Sequence, residues 1–248
     1  MTIDIFYIAT GVYTEYFPKF LETLPLFFPG VNKRIHIISD LLSEYNGYNS
    51  NDISIEVIYQ LDLPYPLIPL LKTHFINSYL PSDAEYVFYF DADTIFLPKE
   101  TKYWDNLLSA LSNGEILLAN HPGNHYPTYE ISEESEAYIL PYGTFFFPII
   151  SSFFGGKKEK MAVFFDEVNK KVKHDLTTHK NNHQVHYIPP LFDQDYITKL
   201  QLEKNGLSFY IKYFVRISWL TNEYDVQEDN FIEQKYDINK KFKKKNMK

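Results

Sequence analysis

Dense runs of β-branched and aromatic residues alternate with stretches whose apolar residues recur every three or four positions, and that alternation leaves few folds open to the chain. Ile3 to Ala9 (IDIFYIA) ends in Thr10-Gly11. It is followed by Glu15 to Phe28, where Phe17, Phe20, Leu21, Leu24 and Phe28 recur at helical spacing and Pro25 is placed to end or kink the helix. Strand-like runs follow at Arg34 to Ser39 and Ile53 to Tyr59, then an apolar helix from about Pro69 to Leu80, then Tyr86 to Phe90 (YVFYF) entering Asp91. The pattern predicts an α/β fold with a mixed, mostly parallel sheet flanked by helices. After position 113 the rhythm loosens. A strand is expected at Ile116 to Ala119, an apolar stretch at Thr144 to Phe154, and helices from about Lys157 to Val172 and from about Asp193 to Lys204, the last ended by Gly206.

With 248 residues, no repeat and no Gly/Ser- or Pro-rich linker, residues 1–239 read as one domain and 240–248 as a tail. That tail holds Lys240, Lys241, Lys243, Lys244, Lys245 and Lys248. Upstream of it stand 18 basic against 32 acidic residues, a balance of −14, which disfavours nucleic acid as a partner. The lysines read as a solvated, frayed end, or as a clamp for a polyphosphate or, at most, peripheral contact with an anionic membrane. Cysteine is absent, so disulfides, thiolate nucleophiles and Cys-bound metals are excluded. Without a signal-like start or an apolar run long enough to span a bilayer, a cytoplasmic location is expected.

Open sheets of this type bind ligands beyond the C-terminal ends of their strands, and two segments bring chemistry there: Ala9-Thr10-Gly11 and Asp91-Ala92-Asp93. Spaced i,i+2 after a strand, Asp91 and Asp93 are expected on one face, as oxygen ligands for Mn²⁺ or Mg²⁺ with positions left for a nucleotide diphosphate. Asp193-Gln194-Asp195 opens a helix after Pro189-Pro190, where acidic side chains either cap the helix or face the site. His179 and His183 are spaced i,i+4, but no Glu follows the first as a His-Glu-x-x-His zinc site requires. The serine-hydrolase, Walker and dinucleotide signatures do not occur.

The ordered segments Tyr7-Ile8-Ala9-Thr10-Gly11-Val12-Tyr13, Ile38-Ser39-Asp40, Asp91-Ala92-Asp93, His121-Pro122-Gly123, Ala137-Tyr138-Ile139, Phe153-Phe154-Gly155-Gly156 and Phe192-Asp193-Gln194-Asp195 extend over roughly residues 3 to 205. In that order and spacing the chain resembles glycosyltransferase family six, the retaining α1,3-galactosyl- and N-acetylgalactosaminyltransferases of the blood-group A and B type, in a short bacterial form. The resemblance implies a GT-A fold that transfers galactose or N-acetylgalactosamine from a UDP-sugar to a glycan or glycolipid acceptor, with Mn²⁺ or Mg²⁺. It further implies that Ala9, Thr10 and Tyr13 line the uridine pocket, with Tyr13 facing the base, and that Asp91 and Asp93 hold metal and diphosphate. By the same resemblance His121 contacts the acceptor, Asp193 binds the donor sugar, Ile150 and Ser152 distinguish the two sugars, and the lysine tail folds over the diphosphate.

The chain also departs from that pattern. Where the family has Trp-His-Asp-Glu, this sequence has Leu191-Phe192-Asp193-Gln194, so an amide replaces the Glu assigned as nucleophile or cation stabiliser. The family's Arg on the helix before the metal strand has Lys72 as its nearest cation. Two other readings stay open: a retaining transferase closer to family eight, which carries an Asp-Gln motif, and a sugar-binding protein that lost turnover with the Glu.

Overall fold

The computed structural model describes residues 1–50, 52–121, 133–139, 149–180, 183–184, 186–189, 193–212, 214–217 and 230–234. In the first half, β1 (Thr2–Ile8), α1 (Phe17–Thr23), β2 (Asn32–Ser39), β3 (Asn49–Ser50), β4 (Ile53–Tyr59), α2 (Leu67–Ser78) and β5 (Tyr86–Asp91) succeed one another, and all but the two-residue β3 belong to the predicted alternation. The helix expected over Glu15 to Phe28 is broken into pieces. A 3-10 segment at Gly11–Tyr16 precedes α1, which has Pro18 in its first turn, and Pro25 opens a second 3-10 segment, Leu24–Leu26. A proline has no N–H to give to the preceding turn, so a continuous helix cannot run through both.

Next come β6 (Thr94–Phe96), α3 (Thr101–Ser112), β7 (Glu115–Asn120), β8 (Ile149–Lys157), α4 (Lys158–Thr177) and a small β9–β10 hairpin (His179–Lys180 with His183–Gln184). α5 (Asp193–Glu203), β11 (Ser208–Lys212), β12 (Val215–Ile217) and β13 (Ile232–Gln234) complete the described elements. α3, β6 and β11 to β13 were not anticipated. α3 buries Trp104, Leu107 and Leu111 on one stripe, a helical period that its polar flanks obscure, while β6, β12 and β13 are three residues each, too short for periodicity to register.

The main sheet has the order β11-β7-β8-β5-β1-β2-β4-β3. β1 runs parallel to β2 and β5, β2 to β4, and β7 to β11, whereas β8 is antiparallel to both β5 and β7. This is the mixed, mostly parallel, helix-flanked α/β sheet expected of a GT-A type fold. Because β8 reverses, its first residues lie at the same edge as the C-terminal ends of β1, β2, β4, β5 and β7.

Side chains alternate across the pleat and build two cores. Ile3, Ile5 and Tyr7 enter one with Phe17, Phe20, Phe27, Phe88, Phe90 and Trp104; Phe6 and Ile8 enter the other with Leu70, Tyr89, Phe154, Phe164 and Tyr196. A Cβ on Gly155 would lie 2.1 Å from the ring of Phe88, its cross-strand partner, so only glycine admits the aromatic there. Among the described residues no helix is long and apolar enough to cross a membrane. The lysine tail at 240–248 lies outside the described residues, as do Pro122, Gly123, Leu191 and Phe192.

Candidate functional site

β5 sends Phe88 and Phe90 to one core and Tyr89 to the other, then ends at Asp91. Ala92 and Asp93 form the turn into β6, so the expectation that one strand aims both carboxylates is corrected: only Asp91 is in the strand. The two carboxylates nevertheless act on the same neighbours. Burial first, and then the charge of Asp93, Tyr16 and Asp91, hold the Tyr7 phenol well above its usual pKa, and burial followed by Asp91 and Asp93 does the same to Tyr89.

Those two tyrosines grip the turn from opposite faces of the sheet. The Tyr7 hydroxyl donates to the Ala92 carbonyl at 2.9 Å, and the Tyr89 hydroxyl donates to Asp91 Oδ1 at 2.6 Å. α2 brings in Lys72, whose ammonium is 3% exposed and lies 3.3 Å from Asp91 Oδ1, 3.0 Å from Asp193 Oδ2 and 3.0 Å from the Ser151 carbonyl. It also sits 4.6 Å from the centre of the Tyr89 ring. Burial lowers the Lys72 pKa, but the charges of Asp193 and Asp91 outweigh it and the net shift is upward. Burial raises Asp193 to about 6 against the pull of Lys72, so at neutral pH both members of the pair are charged. The contact to Asp193 is an ion pair that lies off the hydrogen-bonding direction.

Ser151 reaches this cluster because β8 bulges. Ile150 faces Ala119 and Phe154 faces Leu118, so residues 151–153 have no counterpart on β7, and the extra length turns the serines at the sheet edge. Ile150 and Ser152 are both buried. The Ser152 hydroxyl and the Gln194 amide nitrogen are buried without a hydrogen-bond partner among the described residues. Asp193, Gln194 and Asp195 occupy the first turn of α5 and are all buried, with the Asp193 carboxylate directed to Lys72. The facing-cluster reading of this segment thus fits the geometry better than plain capping.

The loop after β1 begins beside Asp91, since Ile8 pairs with it. Ala9 and Thr10 are buried, the Thr10 hydroxyl donates to Asp62 Oδ1 at 2.8 Å, and the Gly11 N–H donates to Asp40 Oδ1 at 3.0 Å. Gly11 has φ +54°, and a Cβ there would lie 2.9 Å from Asp62 Oδ2, so glycine answers both the backbone and the close approach. Tyr13 is 41% exposed, and its ring stacks with that of Tyr16 at 6.4 Å. His121 directly follows β7, which is separated from β5 by β8 in the sheet. Burial lowers its pKa to about 4, so the imidazole is neutral at pH 7.

The sequence-predicted residues Lys72, Asp91 and Asp193 therefore meet directly, Ser152 and Gln194 adjoin them along the chain, and Ala9, Thr10, Tyr13 and His121 share the edge. Tyr89, Ser151 and Asp62 escaped the sequence reading: Tyr89 looks like one more core aromatic of a strand, and a bulge leaves no mark in periodicity. Among the described residues no three His, Cys, Asp or Glu side chains converge as a self-contained metal cage. Two carboxylates fit a hard ion such as Mg²⁺ or Mn²⁺, which takes its remaining oxygens from water and a diphosphate.

No family model matches the chain. Over 126 residues it is 29% identical to an Escherichia coli protein named O-antigen biosynthesis glycosyltransferase WbnI, a match covering 50% of this chain and 50% of that protein. The chain spans about half the length of the curated relative it matches.

Proposed function

We propose that the protein is a retaining glycosyltransferase that moves galactose, or N-acetylgalactosamine, from a UDP-sugar to a galactoside glycan or glycolipid in α1,3 linkage, as in glycosyltransferase family six. The observation behind this reading is the junction at Lys72, which joins Asp91 of β5 to Asp193 of α5, while Ser152 Oγ and Gln194 Nε2, one residue along the chain from Ser151 and Asp193, are buried without hydrogen-bond partners among the described residues. Buried polar groups without partners are rare, and the hydroxyls of a donor sugar would satisfy these. The similarity to a protein named for O-antigen glycosyl transfer points the same way.

In this reading Tyr13 offers its exposed face to the base, and the segment Ala9–Thr10 lines the uridine. Asp91 and Asp93 would hold a divalent cation, which when bound neutralises charge on the diphosphate. Asp193 orients the sugar through its hydroxyls. The C1–O bond to UDP breaks with its electron pair leaving on the diphosphate, the acceptor hydroxyl adds to the same face of C1, and its proton passes to a phosphate oxygen of the departing UDP. Gln194 supplies a dipole for the oxocarbenium-like state, and neutral His121 exchanges a hydrogen bond with the acceptor.

Ser152 fills space at the position that separates the two sugars, and its side chain disfavours the bulky 2-acetamido group, so UDP-galactose is the expected donor. Measuring UDP release from a panel of UDP-sugars, with and without Mn²⁺, tests this. The expected result is Mn²⁺-dependent release, highest with UDP-galactose, and a relative gain for UDP-N-acetylgalactosamine in Ser152→Gly. A glutamine at 194 favours the second reading, a family-eight-like transferase or a sugar-binding relative; binding without release of UDP from any donor would select the sugar-binding form.

A further inference from the structure

We propose that Tyr89 and Lys72 are positioning residues with opposed effects on the cation: Tyr89 fixes the Asp91 carboxylate for it, while Lys72 competes with it for the same carboxylate and keeps the nucleotide-free protein a weak metal binder. This rests on Asp91 and Asp93 being the metal-binding pair of the proposed function. Asp91 Oδ1 takes the Tyr89 hydroxyl at 2.6 Å and has the Lys72 ammonium at 3.3 Å, so that oxygen is already engaged twice. Oδ2 accepts no hydrogen bond among the described residues, and the side chain is 35% exposed, which leaves one oxygen of Asp91 for an ion.

The two partners differ in what they do to that oxygen. A hydroxyl hydrogen bond orients a ligating carboxylate without neutralising it, and such outer partners ordinarily strengthen metal binding. A full positive charge a few ångströms from the carboxylate opposes a second cation. Lys72 is itself fixed by Asp193, the Ser151 carbonyl and the face of Tyr89, so it cannot swing away when an ion arrives. A nucleotide diphosphate adds oxygens that the protein withholds, so metal and nucleotide each raise the affinity for the other, as linkage requires. Tyr7, holding the Ala92 carbonyl from the opposite face, keeps the turn in place while this happens.

Titration of Mn²⁺ into the full chain, followed by the free-ion EPR signal with and without UDP, reads these effects without any turnover. The expected result is weak binding to wild type that tightens with UDP, binding about ten- to a hundredfold weaker in Tyr89→Phe, and nucleotide-free binding about tenfold tighter in Lys72→Met. Lys72→Gln, which can still donate to the Ser151 carbonyl, replaces Lys72→Met if that variant does not fold. A purely structural role would weaken both variants together. Wild-type binding with both variants weaker, or both unchanged, overturns the proposal alone; no Mn²⁺ binding by wild type even with UDP overturns the metal reading and this proposal with it.

Discussion

Gln194 is the residue at which this chain departs most sharply from the family it resembles. An amide cannot attack C1 to leave a stable covalent sugar, but its carbonyl can face developing positive charge. The buried Nε2, without a hydrogen-bond partner among the described residues, would then meet a sugar or acceptor oxygen. Gln194→Ala is expected to lower kcat by about 10²–10³, the range for one preorganised electrostatic group, and Gln194→Glu to raise kcat or leave it little changed. Steady-state kinetics on the preferred donor checks this. Full activity in Gln194→Ala, with Asp195→Ala dead and a glycosyl adduct on Asp195 by mass spectrometry, would restore double displacement. The sequence made Asp91, Asp193 and Gln194 visible because acidic and amide residues after a strand or before a helix stand out. Tyr89 did not stand out, since its contact with Asp91 depends on which face of the sheet it takes.

At the scale of elements, the edge opposite the site is held by its own polar lock. Asp4 in β1 is fully buried and pairs in register with Arg34 in β2, which donates to its two oxygens at 2.8 and 2.9 Å; His36 Nε2 lies 2.8 Å from Oδ1. Arg34 also binds Asp83 at 2.7 Å, and Asp83 first and Asp4 second raise its pKa. Asp4→Ala removes the buried carboxylate shared by Arg34 and His36 while Arg34 keeps Asp83, at an expected cost of about 1.5–3 kcal/mol, the range for hydrogen bonds to a charged group. Urea unfolding measures it, and an unchanged midpoint would contradict the assignment. None of this was legible beforehand: Asp4 interrupts an apolar run and reads as a surface position, because alternation identifies strands but not which polar residues meet across them. The longer strands of the first half, β1, β2, β4 and β5, were legible from their runs of β-branched and aromatic residues. The helix after β1 was overextended, since periodicity continued past prolines that break the hydrogen-bond ladder.

For the whole molecule, the parallel strands fix where chemistry can gather. β1 and β5 end side by side, β8 enters the same edge in reverse, and α2 and α5 close over it, so residues 9–13, 72, 91–93, 151–152 and 193–194 converge from five parts of the chain. The sequence placed residues 9–11 and 91–93 at the ends of strands, whereas the antiparallel run of β8 and its bulge required the structure. This edge is proposed to bind a nucleotide sugar through Asp91 and Asp93. Isothermal titration of UDP into the protein with Mn²⁺, after chelation, and in Asp91→Asn and Asp93→Asn tests it most directly. Binding with Mn²⁺ that is lost on chelation and in each variant is expected, with both variants folded by circular dichroism; undiminished UDP binding in both variants without metal would contradict the proposed site.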